Sequence, residues 1–210
     1  MIKVLIADDH PLVRRGVRQI ISDFPDIEMT GEAGSGSELM TLIQEQTIDV
    51  VLLDISMPGR DGLEILKQIK QEFPTVYVLM LSIYPEEQYA IRALKAGAAG
   101  YLTKAAAPDE LVIAIRKIAA GGRYVTSSLA EKLAANLLKP ITELPHKTLS
   151  DREYQVFLML SSGRTVSEIA VELSLSDKTI STYRSRLIEK MGMKTNAELA
   201  PYAIMNTLID

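Results

Sequence analysis

The stretch VLLDISMPGRDGLEIL, Val51 to Leu66, decides the fold. A short apolar, β-branched run from Val50 to Leu53 ends on a carboxylate, Asp54, and Leu63, Ile65, Leu66, Ile69 and Phe73 then recur at helical spacing. A buried strand followed by an amphipathic helix is half of a crossover unit in a parallel sheet. The same alternation extends in both directions. Upstream, Ile2 to Ala7 and Ile27 to Ala33 read as strands, with Leu12, Val13, Val17, Ile20, Ile21 and Phe24 as the apolar face of a helix between them. Downstream, Val76 to Leu81 and Gly100 to Leu102 read as strands, and Leu111, Ile115 and Ile118 mark a fifth helix. Five βα units make a doubly wound α/β sheet.

Beyond this region Ser127 to Leu138 reads as one more helix, and Lys139 to Lys147 (KPITELPHK), with two prolines, reads as a linker. Strand signals then stop. Ser150 with Glu153, Thr165 with Glu168 and Thr195 with Glu198 each match the capping box, in which a hydroxyl and a glutamate satisfy free amides at a helix start. Ser176 offers a fourth start, and Gly163 and Gly192 follow helices as terminators. The expected organisation is a first domain over 1–122, a helix and linker over 123–147, and an all-α domain of four short helices over 148–210.

The 210 residues are 47% hydrophobic and 24% charged, the composition of a chain that buries a core unaided. No apolar run approaches the ~20 residues that span a bilayer, and the N-terminus lacks a long apolar segment followed by a cleavage site, so a cytoplasmic protein without a membrane partner is expected. The absence of cysteine excludes disulfides, thiolate metal sites and cysteine nucleophiles, and two histidines, His10 and His146, exclude a histidine-rich metal site. A net charge of -4 argues against a generally basic surface, so nucleic-acid binding requires a local patch. Residues 177–194 supply one: Lys178, Arg184, Arg186, Lys190 and Lys194 stand against Asp177 and Glu189.

In an open α/β sheet, ligands bind outside the carboxyl ends of the strands. Asp8 and Asp9 fall at the end of the first strand, Asp54 at the end of the third, Ser82 at the end of the fourth and Lys104 just past the fifth. Carboxylates held close repel one another, and a divalent cation is the ordinary remedy; Mg²⁺ suits oxygen ligands shared with a phosphate. With such a cation an aspartate can act as an in-line nucleophile toward phosphorus, while a lysine and a hydroxyl hold the other phosphoryl oxygens. A haloacid-dehalogenase-like phosphatase needs a second acid two residues after its nucleophile, where this chain has Ser56. Gly34 and Gly36 lack the third glycine of a dinucleotide fingerprint, since Leu39 stands there, and no GK[ST] phosphate loop exists.

IADDHPLVRRG, VLLDISMPGRDGLEIL, LMLS and GAAGYLTKAA, in this order and spacing, resemble the receiver domain of bacterial two-component response regulators. That resemblance implies a flavodoxin-like (βα)5 fold with parallel sheet order 2-1-3-4-5 and a bound Mg²⁺. It implies Asp54 as phospho-acceptor, Asp9 as a direct Mg²⁺ ligand, Asp8 as one acting through water, and the Ser56 backbone carbonyl as the remaining protein ligand. Ser82 matches the switch hydroxyl, Lys104 the phosphate-pairing lysine and Tyr101 the aromatic whose rotamer follows the switch. Pro58 and Gly59 shape the loop after Asp54. Ala105 departs from the proline that usually follows the lysine across a cis peptide. His10 lies beside the pocket, where it either tunes the pocket or simply packs or caps the first helix.

The segment TLSDREYQVFLMLSSGRTVSEIAVELSLSDKTISTYRSRLIEKMGMKTNAEL resembles the helix-turn-helix DNA-binding domain of the NarL/LuxR (FixJ) family, and STYRSRL its BvgA-, EvgA- and GacA-like subgroup. The second helix of such a motif enters the major groove with its early residues on base edges. Lys178, Thr179, Ser181, Thr182, Arg184 and Ser185 are the contact candidates, with Arg186 and Lys190 behind them. The last helix, Asn196 to Leu208, either joins a dimer interface through Leu199, Tyr202, Ala203 and Met205 or closes the domain core. The implied partners are a sensor histidine kinase or phosphotransfer domain, double-stranded promoter DNA, a second copy of the chain upon phosphorylation, and RNA polymerase. The implied protein is a transcription regulator and not a turnover enzyme; its phosphoryl chemistry is limited to Mg²⁺-dependent self-phosphorylation and self-dephosphorylation. The alternative is a DNA-binding regulator whose receiver is constitutively competent and indifferent to phosphate.

Overall fold

The computed structural model describes residues 1–57, 59–138 and 144–209. Pro58, expected to shape the loop after Asp54, and most of the expected linker lie outside them. The chain divides into two compact units, Met1–Leu133 and Ala134–Asp210.

The first unit is a five-stranded parallel sheet in the order β2-β1-β3-β4-β5, formed by Ile2–Ala7, Ile27–Ala33, Val50–Asp54, Tyr77–Ser82 and Gly100–Thr103. Helices α1 (Pro11–Ser22), α2 (Gly36–Glu45), α3 (Gly62–Glu72), α4 (Glu86–Lys95) and α5 (Pro108–Ala119) alternate with the strands. Every residue of β3 is buried, as expected of a central strand covered on both faces. On one side Val4, Ile6, Val50, Leu52 and Leu79 pack with Val17 and Ile21 of α1 and with Leu111, Ile115 and Ile118 of α5. On the other, α3 buries Leu63, Ile65, Leu66 and Ile69. Burying each such aliphatic side chain is worth about 1.5–3 kcal/mol. Leu12 departs from the expected apolar face. It is 80% exposed, because it lies about 140° around the helix from Val17, whereas Val13 in the same turn packs on the core.

Gly62 fixes where α3 begins. A Cβ there would lie 2.3 Å from the Asp54 carbonyl oxygen and 2.8 Å from Ile55 Cα, so only glycine lets the helix start this close to the end of β3. Its amide donates to Ile55 O at 2.9 Å, and the buried Asp61 caps the helix by accepting from the Leu63 amide at 2.8 Å.

After α5, Tyr124 forms a parallel bridge to Gly100, and α6 spans Ser127–Leu138 as the sequence predicts. In the second unit the helices are α7 (Asp151–Ser161), α8 (Val166–Glu172), α9 (Asp177–Lys190) and α10 (Leu199–Met205). Ser150 and Thr165 cap α7 and α8 in full capping boxes, and Ser176 caps α9 by accepting from the Thr179 amide. At Thr195 the reach-back half of the box forms, Glu198 Oε1 accepting from the Thr195 amide at 3.0 Å, but the turn over Asn196–Glu198 is 3-10, so α10 is shorter than the predicted 196–208. Gly163 and Gly192 have φ of 84° and 65° and end their helices in the left-handed conformation.

The expected linker is part structure. Pro145–Thr148 form a 3-10 turn whose His146 is buried against the rings of Tyr154 and Tyr202, its Nδ1 2.9 Å from the Tyr202 hydroxyl. An imidazole that fills an aromatic pocket carried no signal in the proline-rich string that contains it.

Candidate functional site

Sheet topology alone assembles the acidic pocket. β1 and β3 are neighbours, so the residues that follow them, Asp8 and Asp9, and the last residue of β3, Asp54, emerge side by side. Lys104 follows β5, one strand further from Asp54 than β4. Its amide donates to Ser82 O at 2.7 Å, and its ammonium lies 2.7 Å from Asp8 Oδ2 and 2.8 Å from Asp54 Oδ2. One cation therefore spans two buried carboxylates.

It does not balance them. Burial pushes the Asp54 carboxyl up to about 6; Lys104 opposes the rise and the nearby Asp8 carboxylate adds to it. Burial alone would depress the Lys104 ammonium, but the two carboxylates outweigh it and hold its pKa above the ordinary value. Ligand atoms of Asp8, Asp9, Asp54 and His10 all fall within 4.8 Å of one another. Three hard carboxylates still short of positive charge fit a divalent cation such as Mg²⁺. His10 Nδ1 lies 2.7 Å from Asp9 Oδ1 on the solvent side, with its side chain 64% exposed. It makes no side-chain cap to α1, contrary to expectation, and its amide instead donates to Asp8 Oδ1 at 2.8 Å.

The remaining pocket residues stand around this centre. The Ser56 amide donates to Asp54 Oδ1 at 3.3 Å. Ser82 is fully buried, and its Oγ accepts from the Tyr84 amide at 3.0 Å. Tyr101 is also fully buried, donating from its hydroxyl to Tyr84 O at 2.9 Å, and burial raises its phenol pKa well above the ordinary value. Among the described residues no peptide is cis, so the Lys104–Ala105 bond is trans.

In the second unit α9 buries Ile180 and Leu187 and turns its opposite face outward. Lys178, Ser181, Thr182, Arg184, Ser185 and Arg186 are exposed, and Thr179 is half-buried at the cap. Ser176, Lys178, Thr179, Thr182, Tyr183 and Arg186 line a shallow groove of about 270 Å³. Ser167 donates to Asp177 Oδ2 at 2.6 Å and ties α8 to the start of α9. Thr182 and Ser185 donate to the carbonyls of Lys178 and Ser181, four residues back, and Arg184 Nε donates to Asn196 Oδ1 at 3.0 Å. Lys190 points elsewhere than the sequence suggests: its Nζ lies 2.6 Å from Oε2 of Glu153, the glutamate that caps α7.

The family model "Response regulator receiver domain" matches residues 4–116, and "Bacterial regulatory proteins, luxR family" matches residues 147–203. The chain belongs to the LuxR-type response regulators. Response regulator UvrY of Escherichia coli K12 is 42% identical over 209 residues, which cover 99% of this chain and 96% of UvrY. Response regulator GacA of Pseudomonas aeruginosa is 38% identical over 211 residues, covering 100% and 99%. Among solved structures, RcsB of Salmonella typhimurium matches with a TM-score of 0.72 at 28% identity over 98% of both chains. RcsB bound to the rprA promoter with the phosphomimetic BeF3⁻ matches at 0.67 and 29% identity, over 96% and 97%. A receiver joined to a LuxR-type domain makes this regulator a phosphorylation-controlled, DNA-binding transcription factor.

Of the regulator's sequence-predicted residues, Asp8, Asp9, Asp54 and Lys104 converge within contact distance, with Ser82 and Tyr101 joined through the Tyr84 backbone. The DNA-contact candidates on α9 are exposed except the half-buried Thr179, and Lys190 among them is paired with Glu153. Sequence reasoning missed Tyr183 and Ser176 in the α9 groove, and Arg14 behind the acidic pocket. Tyr183 was legible as the residue beside Thr182, but a side-chain contact between distant elements leaves no local signal.

Proposed function

We propose that Asp54 accepts a phosphoryl group from a phosphohistidine of a sensor kinase or phosphotransfer domain. The observation that carries this reading is the Lys104 ammonium bridging Asp54 and Asp8 at the mouth of the sheet. An Asp54 carboxylate oxygen forms the new O–P bond as the P–N bond breaks, and the donor imidazole keeps the electron pair. Asp8, Asp9, Asp54 and the Ser56 carbonyl would hold Mg²⁺, which would supply charge neutralisation for the transferred group. Lys104 is already positioned to pair with a phosphoryl oxygen on Asp54, and Ser82 turns its hydroxyl toward the same group. Moving Ser82 pulls on Tyr84, whose amide it accepts from and whose carbonyl accepts from Tyr101, so the change at Asp54 is passed to the β4–α4 segment.

The DNA-binding face on this reading is α9, with Lys178 and Arg186 on phosphates or guanine edges and Ser181, Thr182 and Ser185 toward the groove. Related RcsB has been seen as dimers on DNA, which supports a dimer of this chain reading paired half-sites, formed on phosphorylation in this reading. Leu199 and Ala203 are buried within the second unit, so they close its core; Ile204 and Met205, 56% and 84% exposed, are the apolar residues that α10 offers outward. A phosphate-indifferent regulator leaves the buried Asp8–Lys104–Asp54 constellation without a use. Incubating the chain with Mg²⁺ and acetyl phosphate, beside Asp54→Ala, tests the reading by intact mass.

A further inference from the structure

Arg14 lies on α1 and does no chemistry in the account above, yet its contacts converge on the pocket's frame. Its Nη1 donates to the Asp8 carbonyl at 2.6 Å, and its Nε to Glu32 Oε2 on β2 at 3.2 Å. Arg18, one turn further along α1, donates to the other oxygen of the same glutamate at 2.5 Å. Burial would raise Glu32, but the two arginines more than offset it and hold its carboxyl below the ordinary value, so it remains an anion that anchors both. The Arg14 side chain is largely covered at 18% exposure, whereas Arg18 is 54% exposed.

We propose that Arg14 is a positioning residue for the Mg²⁺ site: by gripping the Asp8 carbonyl from the Glu32 anchor, it fixes the turn that presents Asp8 and Asp9 beside Asp54. The inference rests on the phospho-acceptor reading of that pocket. The Asp8 peptide is held at three points. Its amide donates to Ala33 O at 3.1 Å, its side chain is held by Lys104 and the His10 amide, and its carbonyl is held by Arg14. The His10 amide closes the turn around the peptide joining Asp8 to Asp9, and Arg14 is the side chain that holds that peptide's carbonyl directly. Without it, the peptide between Asp8 and Asp9 can tilt within the turn that the His10 amide closes, and the Asp9 carboxylate shifts relative to Asp8 and Asp54. Groups that orient metal ligands from behind are worth about 10- to 100-fold in metal affinity. Arg18 provides the internal control, since it shares the Glu32 anchor but does not touch the Asp8 turn.

The test uses the full chain and four variants: Arg14→Ala, Arg14→Lys, Arg18→Ala and Asp54→Ala. Mg²⁺ binding is measured by calorimetry, and the Mg²⁺ concentration for half-maximal acetyl phosphate labelling is measured beside it. Arg14→Ala is expected to raise the Mg²⁺ dissociation constant and the half-maximal concentration by about tenfold each, with the labelling rate at saturating Mg²⁺ kept within about twofold and the thermal midpoint in chelator close to that of Arg18→Ala. Arg14→Lys, which retains a donor but not the fork that reaches both partners, should fall between, and it serves should the alanine variant not fold. Arg18→Ala should match the parent. Equal Mg²⁺ requirements in the parent and the Arg14 variants overturn the inference, as does an equal loss in Arg18→Ala, which would make the effect one of helix anchoring. If the parent itself neither binds Mg²⁺ nor labels at Asp54, the phospho-acceptor reading falls first and takes this one with it.

Discussion

The Lys104 ammonium stands 2.8 Å from Asp54 Oδ2 although β4 lies between their strands in the sheet. Its backbone is fastened to the intervening strand at Ser82 O, so the side chain crosses over the end of the strand that Ser82 closes. Lys104 thus joins the Ser82 backbone to the Asp54 carboxylate, one contact through its amide and the other through its ammonium.

Asp54 is costly to the metal-free receiver. Its folded pKa of about 6 lies above the ordinary 3.8, so its contribution to stability is intact below the ordinary value and is lost as pH rises toward 6. Asp54→Asn is therefore expected to stabilise the metal-free receiver on the order of 2 kcal/mol near neutral pH, and by much less near pH 4. Urea unfolding in chelator at the two pH values checks this. Equal stability of parent and variant near neutral pH would contradict the burial account.

Gly62→Ala places a methyl group on the Asp54 carbonyl and Ile55. A loss of about 1–3 kcal/mol or more is expected, together with slower labelling of Asp54, because α3 must retreat from the end of β3. Thermal unfolding and intact mass report the two effects. A variant with unchanged stability would show that the close approach is not needed.

Lys178→Ala should weaken operator binding and reduce the salt dependence of binding by about one counterion, with Asp54 labelling intact. Arg184→Ala should also weaken binding, since it removes both a cation and the Asn196 contact that braces the far end of α9. Titrations across a salt series distinguish them. Unchanged binding in both would sink the placement of α9 in the groove.

Lys190 should behave differently. It pairs with Glu153, whose carboxyl burial would raise but which hydrogen bonds from Lys190 and Ser150 hold below the ordinary value. The stability from this contact is present above the ordinary carboxylate range and lost as pH falls through it. Lys190→Ala and Glu153→Gln are both expected to lower the stability of the second unit and reduce operator affinity, leaving the salt dependence of binding unchanged. A reduced salt slope in Lys190→Ala would return Lys190 to the DNA.

The strands and the pocket were legible because both are written locally. Apolar runs fix the strands, and a parallel sheet must bring the residues after those runs to one edge, so Asp8, Asp54, Ser82 and Lys104 could be grouped from the sequence. The helix caps at Ser150, Thr165 and Ser176 were legible for the same reason, since the partners lie within one turn. What escaped were pairings between distant elements: Arg14 with Glu32 and the Asp8 carbonyl, Lys190 with Glu153, and His146 with Tyr202. Leu12 escaped differently. It lies about 140° around the helix from Val17 and so faces solvent, while Val13 in the same first turn packs on the core.

The central claim is that Asp54 is the phospho-acceptor of a Mg²⁺-dependent switch. The most direct measurement follows intact mass and oligomeric state together after incubation of the full chain with acetyl phosphate, with and without Mg²⁺, beside Asp54→Ala. A single phosphoryl adduct that requires both Mg²⁺ and Asp54, accompanied by dimer formation, is the expected result. Failure to form an adduct, or an adduct that persists in Asp54→Ala, would contradict the account and leave a DNA-binding regulator controlled by something other than phosphate on this residue.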